Sequence, residues 1–313
     1  LKKIVKFSLY WEILCCPFLL NLQSAEGVLR NNLGLLKSPI LFECLFLRKK
    51  DLMKKKLSVL NLVSVILVIA INYVSQAIRI NETTIGEVSN KYFNLFTPAS
   101  YAFAIWGLIF TALIAYGIYQ VKMAYFSEKP SKFIEETGYW FIITNLLNCV
   151  WVFIFAYEYT GLSVLVMLGI LFSLTKIILN TNMERESVSR STFIFGWLPI
   201  GIYSGWIAVA TIANISAYLA KLNWDGGFLS ESGWTITMIV IATILYLLII
   251  YKRNILEFAA VGIWALFAIY IRHQNEYLTI AYAALAGSVI ILIAILWSAF
   301  KNRKTNLALN STE

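Results

Sequence analysis

From Leu57 almost to its end, the chain repeats one pattern, in which apolar runs of roughly 20 residues are separated by short polar stretches. Runs of that length match the hydrocarbon thickness of a bilayer. There a backbone must satisfy its own N–H and C=O groups, which only helices and closed barrels do. Nothing alternates with period two, as barrel strands must. The predicted fold class is therefore all-α, a polytopic transmembrane helical bundle. Eight spans are expected, at about 57–78, 98–121, 137–157, 162–180, 193–219, 234–251, 255–271 and 278–300. Only Lys252, Arg253 and Asn254 divide the sixth from the seventh. Composition agrees, since 14% of residues are charged, against about 25% in soluble domains.

The formal charge of +9 could suggest nucleic acid, but its distribution excludes that partner. From Met53 onward, fourteen Lys and Arg fall in alternate connections: Lys54–Lys56, Lys122, Lys129, Lys132, Lys176, Arg185, Arg190, Lys252, Arg253, Lys301, Arg303 and Lys304. The opposite side has four, Arg79, Lys91, Lys221 and Arg272. This asymmetry is the positive-inside signature, and it places both termini in the cytoplasm of an integral membrane protein. A bacterial cytoplasmic membrane is the expected location. Asn81-Glu-Thr83 fits a glycosylation acceptor, but so short a motif carries no weight.

Residues 1–52 read differently. Lys2, Lys3 and Lys6, an apolar stretch to Leu20 and Gln-Ser-Ala at 23–25 give a signal-like outline, which Trp11, Glu12 and Pro17 interrupt. Met53-Lys-Lys-Lys resembles an ordinary start, so 1–52 is taken as a leader translated from upstream, with no function attached. Cys15, Cys16 and Cys44 lie there, leaving Cys149 alone in a span, so no metal site or disulfide framework is expected. The single histidine, His273, beside Arg272, is read as an exposed loop residue, and a bis-histidine haem is excluded.

Three spans carry ordered aromatics. In the second, Pro98 is expected at the first helical turn, and Phe103, Trp106 and Phe110 share one stripe. In the third, Asn148, Trp151 and Phe155 share a face, with Asn145 a turn earlier. In the fifth, Tyr203, Trp206, Ala210 and Asn214 descend one face. Amides in hydrocarbon turn towards the bundle interior. Asn148 and Asn214 thus point Trp151 and Trp206 inward, where Trp106 would join them. Such a wall suits a large, flat, mostly apolar ligand. Packing alone would also account for the pattern. Trp140, Trp224, Trp234 and Trp297 are assigned to the interfacial belt, and Gly201/Gly205 to close helix packing.

Together these motifs resemble the TspO/MBR family, the tryptophan-rich sensory proteins related to the mitochondrial translocator protein. Phe96-Thr-Pro98-Ala-Ser-Tyr101-Ala-Phe103, with Trp106 and Phe110, is similar to the family pattern F-x-P-P-x-W-x-F-x-x-x-W-x-x-x-Y. Leu147-Asn148-Cys-Val-Trp151-Val-Phe-Ile-Phe155 follows its third-helix pattern. Tyr203-Ser-Gly-Trp206-Ile-Ala-Val-Ala210-Thr-Ile-Ala-Asn214 follows its fifth. The chain departs from the patterns at Ala99, Tyr101, Phe110, Phe153 and Ile202, with Pro199 three residues ahead of its expected place. The resemblance covers about 57–220. It divides the chain into a leader (1–52), a five-helix membrane domain (53–220) and about three further C-terminal helices with a basic tail (221–313).

The resemblance implies a pocket, capped by residues 80–97, that binds porphyrins, haem-like tetrapyrroles or sterols. On this chain its residues would be Pro98, Phe103, Trp106, Phe110, Asn148, Trp151, Phe155, Tyr203, Trp206, Ala210 and Asn214. No cofactor is required, with porphyrin or haem as ligand only. The expected partners are the lipid bilayer, a hydrophobic small molecule and, as an open alternative, a second copy in a homodimer. The leading function is a sensor, receptor or carrier of that molecule. The alternatives are a secondary transporter and a membrane scaffold with no small ligand. Catalysis finds no paired carboxylate, nucleophile–base pair or metal set to support it.

Overall fold

The computed structural model describes residues 39–127, 132–186, 188–224 and 226–310, with side chains from residue 46 to residue 301 of these. The signal-like outline, Cys15 and Cys16, and Lys129 lie outside the described residues. By contacts the chain divides into Leu1–Lys56 and Leu57–Glu313. In the first unit, Asp51 and Lys55 pair one helical turn apart at 2.7 Å.

The described residues form helices joined by short non-helical connections, with no strand among them. The first helix, α1 (Pro39–Ala77), begins well before the apolar run at 57. A helical turn, Ile80–Glu82, leads into the short α2 (Ile85–Lys91). After a 3₁₀ segment, Ser100–Ala104, come α3 (Ile105–Tyr125), α4 (Phe133–Thr137), α5 (Trp140–Ala156) and α6 (Thr160–Asn180). A turn at Arg190–Thr192 and a π segment, Phe193–Trp197, run into α7 (Leu198–Lys221). The last three are α8 (Glu231–Arg253), α9 (Leu256–His273) and α10 (Leu278–Asn310). Among the described residues, seven helical stretches are long and apolar enough to cross a membrane, one fewer than the eight expected, since α5 is a shorter apolar helix.

Local chemistry sets the boundaries. Thr84 caps α2 reciprocally with Glu87. Ser230 caps α8 through the Gly233 N–H at 3.1 Å. Asn254 divides the sixth and seventh spans by taking a left-handed conformation (φ 59°) that asparagine tolerates, and its N–H closes the end of α8 on the Ile249 and Ile250 carbonyls.

In the packing order, α5 lies on α6, α6 on α7, α7 on α9, and α9 with α8 on α10. Small residues set the closest approach. A Cβ at Gly205 of α7 would stand 2.6 Å from the Phe258 carbonyl oxygen of α9, and one at Gly201 would meet the Glu257 side chain.

Amides tie α1 to its neighbours. Asn61 donates to Gln120 of α3 at 2.6 Å, Asn145 of α5 to Ser64 at 2.9 Å, and Asn72 to Asn148 at 3.0 Å. In an apolar interior these pairs fix which faces of α1, α3 and α5 meet.

Candidate functional site

The three aromatic stripes converge. Trp106, Trp151 and Trp206 all line one inner chamber of about 60 Å³, together with Phe103, Phe155, Asn148, Ala210, Asn214 and Pro98. Ile85, Ser89 and Thr97, from the segment 80–97, complete its wall. An outer chamber of about 520 Å³ adjoins it and shares Ile85, Phe103, Trp106 and Trp151. Phe110 lines only this outer chamber, with Ile69, Asn72, Tyr73 and Gln76 of α1.

The rings brace one another. Trp106 stacks on Phe110 with centroids 5.2 Å apart, and Trp151 on Phe155 at 5.0 Å. Phe103 meets Trp206 edge-on at 6.0 Å. Phe103 sits in the 3₁₀ segment rather than in the α-helix, and three residues per turn still bring it to the same chambers as Trp106. Pro98 is not in the first helical turn as expected. It precedes the 3₁₀ segment, where the chain still runs from the lid to the bundle.

Polar groups set the wall from behind. Asn214 Oδ1 accepts from Trp151 Nε1 at 3.0 Å, while its Nδ2 donates to Ser163 Oγ at 2.7 Å. Asn148 Nδ2 donates to Tyr203 Oη at 2.9 Å. Tyr203 lines neither chamber; it is fully buried and supports Trp106 edge-on at 6.0 Å. Trp206 Nε1 is the exception, buried with no hydrogen-bond partner among the described residues. An unmet buried donor costs about 1–3 kcal/mol.

The segment that builds the roof is held by α9, which the sequence reading left without a role. Trp264 Nε1 donates to Ala102 O at 3.1 Å, Arg272 Nη1 to Thr97 O at 2.7 Å and His273 Nε2 to Leu95 O at 2.8 Å. Ala99 N donates to Ala268 O at 3.2 Å. His273 is thus no exposed loop residue. It is 2% exposed, because the non-helical carbonyls of 95–97 need donors that their own segment lacks. Tyr101, at the family's tryptophan position, packs on Trp264 with centroids 5.3 Å apart.

The lid, residues 80–97, is pinned at its other end by Glu158. Its carboxylate takes Lys91 Nζ at 2.7 and 2.8 Å and Tyr92 Oη at 2.5 Å. Lys221 Nζ donates to the Glu158 carbonyl, and Asn81 Nδ2 to Ala156 O at 3.0 Å. Lys91 and Tyr92 hold the Glu158 carboxyl below the ordinary carboxylate range, although burial opposes them. Burial, and then Glu158 itself, pushes the Tyr92 phenol up to about 12.

Asn72 and Gln76 were missed in the sequence because α1 has no aromatic stripe, although amides in a span were the available signal. Trp264 was missed because its partners lie in the distant segment 95–104.

A family model described as TSPO-like protein matches residues 58–297. That match runs through α8, α9 and most of α10, beyond the 57–220 on which the sequence motifs rest. No curated protein and no solved structure matches the chain.

Proposed function

This chain belongs to the TSPO-like protein family, and on that premise we propose that it binds a hydrophobic, planar small molecule, of the porphyrin or sterol kind, as a sensor or carrier. It is an integral membrane protein, all-α, with seven helical stretches of spanning length among the described residues. In our reading both termini face the cytoplasm, as the basic residues favour.

One observation carries the reading: indoles from three separate spans line a common chamber that opens beside a second of about 520 Å³. Cavities for such ligands run from about 300 to 1,000 Å³, with apolar walls and few polar groups. The body of the ligand fits the outer chamber, against Trp106, Phe110 and Trp151. The inner chamber admits only a small group. Nothing in the wall calls for turnover, so the role proposed is binding.

The test uses Gly107, which lines the outer chamber and whose Cβ position has nothing within 4 Å. Gly107→Phe places a ring at that open position on the wall. In nanodiscs, quenching of intrinsic fluorescence by porphyrin and sterol probes should weaken by about tenfold or more, with the melting temperature kept. Trp151→Ala combined with Trp206→Ala should weaken it too. Unchanged affinity in both variants removes these chambers from the function.

A further inference from the structure

A third cavity, of about 230 Å³, shares no lining residue with the two chambers. Its wall comes from the C-terminal end of α7, the N-terminal end of α8 and residues 93–96 of the lid. Cavities for drug-sized ligands start at about 300 Å³. This one therefore takes a smaller molecule, or one group of a larger molecule.

Trp224 and Trp234, expected in the interfacial belt, both line it, their ring centroids 5.0 Å apart. Trp234 Nε1 donates to Gly226 O at 2.6 Å, which fixes that ring. Gly226 (φ 83°) makes the approach possible, since a Cβ there would stand 3.0 Å from Trp234 Cδ1. Glu231 is the one charged residue on the described wall, and no described cation pairs with its carboxylate. The cations of neighbouring elements are engaged elsewhere. Arg272 lies 4.7 Å from the centre of the Phe93 ring and donates to Thr97 O, and Lys221 donates to the Glu158 carbonyl. Neither lines the cavity. The wall's hydroxyls are spent on backbone, Ser216 on Ile212 O at 3.0 Å and Thr235 on Glu231 O at 2.9 Å. The positive end of α8 and the negative end of α7 offset each other here, which leaves the charge of Glu231.

Indole rings beside one negative charge, with no competing cation on the wall, suit an organic cation. A primary ammonium carries three N–H donors and wants an acceptor for each. A quaternary ammonium carries none, so rings and one carboxylate are enough for it. We propose that this cavity binds a quaternary ammonium group, against Trp224 and Trp234 and with Glu231 as counter-charge. The site is separate from the chambers, and it stands whether or not they bind a planar ligand. Two sources carry the group: a free cation such as choline, and the headgroup of phosphatidylcholine, which lies at the depth of belt tryptophans.

The experiment measures choline binding to the full chain in maltoside, which has no ammonium group. The comparison is with the uncharged isostere of choline, in which carbon replaces nitrogen, and with ethanolamine. Choline should bind about tenfold or more tightly than the isostere, and more tightly than ethanolamine. Glu231→Gln and Trp224→Leu should each weaken choline by about threefold to tenfold with the melting temperature kept, because Trp224 is 43% exposed and glutamine keeps the shape of Glu231. Gly107→Phe, in the outer chamber, should leave choline affinity unchanged. In nanodiscs, displacement of choline by phosphatidylcholine but not by phosphatidylglycerol identifies a lipid headgroup as the occupant, and displacement by neither identifies the free cation. No choline binding, or equal binding of choline and its isostere, overturns the site. Undiminished affinity in both wall variants, or a loss in Gly107→Phe, puts the cation elsewhere and overturns it too. Ethanolamine binding as tight as choline overturns the preference for a quaternary group.

Discussion

His273 Nε2 donates to the carbonyl oxygen of Leu95 at 2.8 Å, joining the end of α9 to the chain that enters the aromatic wall. A buried carbonyl left without a donor costs about 1–3 kcal/mol. His273→Phe keeps a ring and removes the donor. The variant should melt below wild type in detergent, and its ligand affinity should fall because residues 95–102 are no longer held in place. Equal melting temperatures would mean that the Leu95 carbonyl is satisfied in some other way.

Asn214 and Trp151 form a coupled pair, since the amide oxygen holds the indole against the chamber. Asn214→Leu leaves Trp151 Nε1 unmet and should destabilise by about 1–3 kcal/mol. Trp151→Phe removes the same donor. The double variant should cost less than the sum of the singles, with a coupling of about 0.5–3 kcal/mol between contacting residues. Thermal or denaturant unfolding of the four proteins reads it directly. Additivity would show that the two side chains do not depend on each other.

The sequence was most legible where periodicity and hydrophobicity act along one helix. Apart from the start of α1, which lies well before 57, the spans were read to within a few residues, because each is an apolar segment ended by charge or by a residue such as Asn254. The stripes at Phe103, Trp106, Phe110, Asn148, Trp151, Trp206, Ala210 and Asn214 reach the chambers because a helix carries a spacing rule into space. Tyr203 obeys that rule yet stands behind the wall, since spacing names a face and not a depth. The four bonds from α9 to residues 95–102 were invisible for another reason. They join the backbone of residues 95–102 to a helix more than 160 residues later in the chain, and no local pattern marks such a pairing.

Gly205 tests whether α9 must lie so close to α7. Its Cβ would stand 2.6 Å from the Phe258 carbonyl oxygen, and Tyr246 Oη donates to the Gly205 carbonyl at 2.9 Å. The obstacle is backbone, so a methyl group forces the helices apart. Overpacking of this kind costs about 1–3 kcal/mol. Gly205→Ala should lower the melting temperature, whereas Gly107→Ala, with open space at its Cβ, should not. Equal effects at the two sites would mean that the crossing yields without penalty.

The closure of the lid should weaken in acid. The carboxyl of Glu158 lies below its ordinary value of 4.5 because Lys91, and then Tyr92, hydrogen-bond to its charged form. A depressed carboxylate contributes fully above that ordinary value and loses its contribution as pH falls through the lower folded value. The Lys91 side chain is 60% exposed and that of Glu158 23%, so the pair is worth less than about 1 kcal/mol after screening. That suffices to change local opening but not the fold. Tyr92, raised to about 12, stays a neutral donor throughout this range. Amide exchange of residues 85–92, corrected for intrinsic rates, should quicken between neutral pH and pH ~3. Glu158→Gln should exchange faster than wild type at neutral pH and show little of this acid dependence. If the variant keeps the full acid response, a different carboxylate governs the lid.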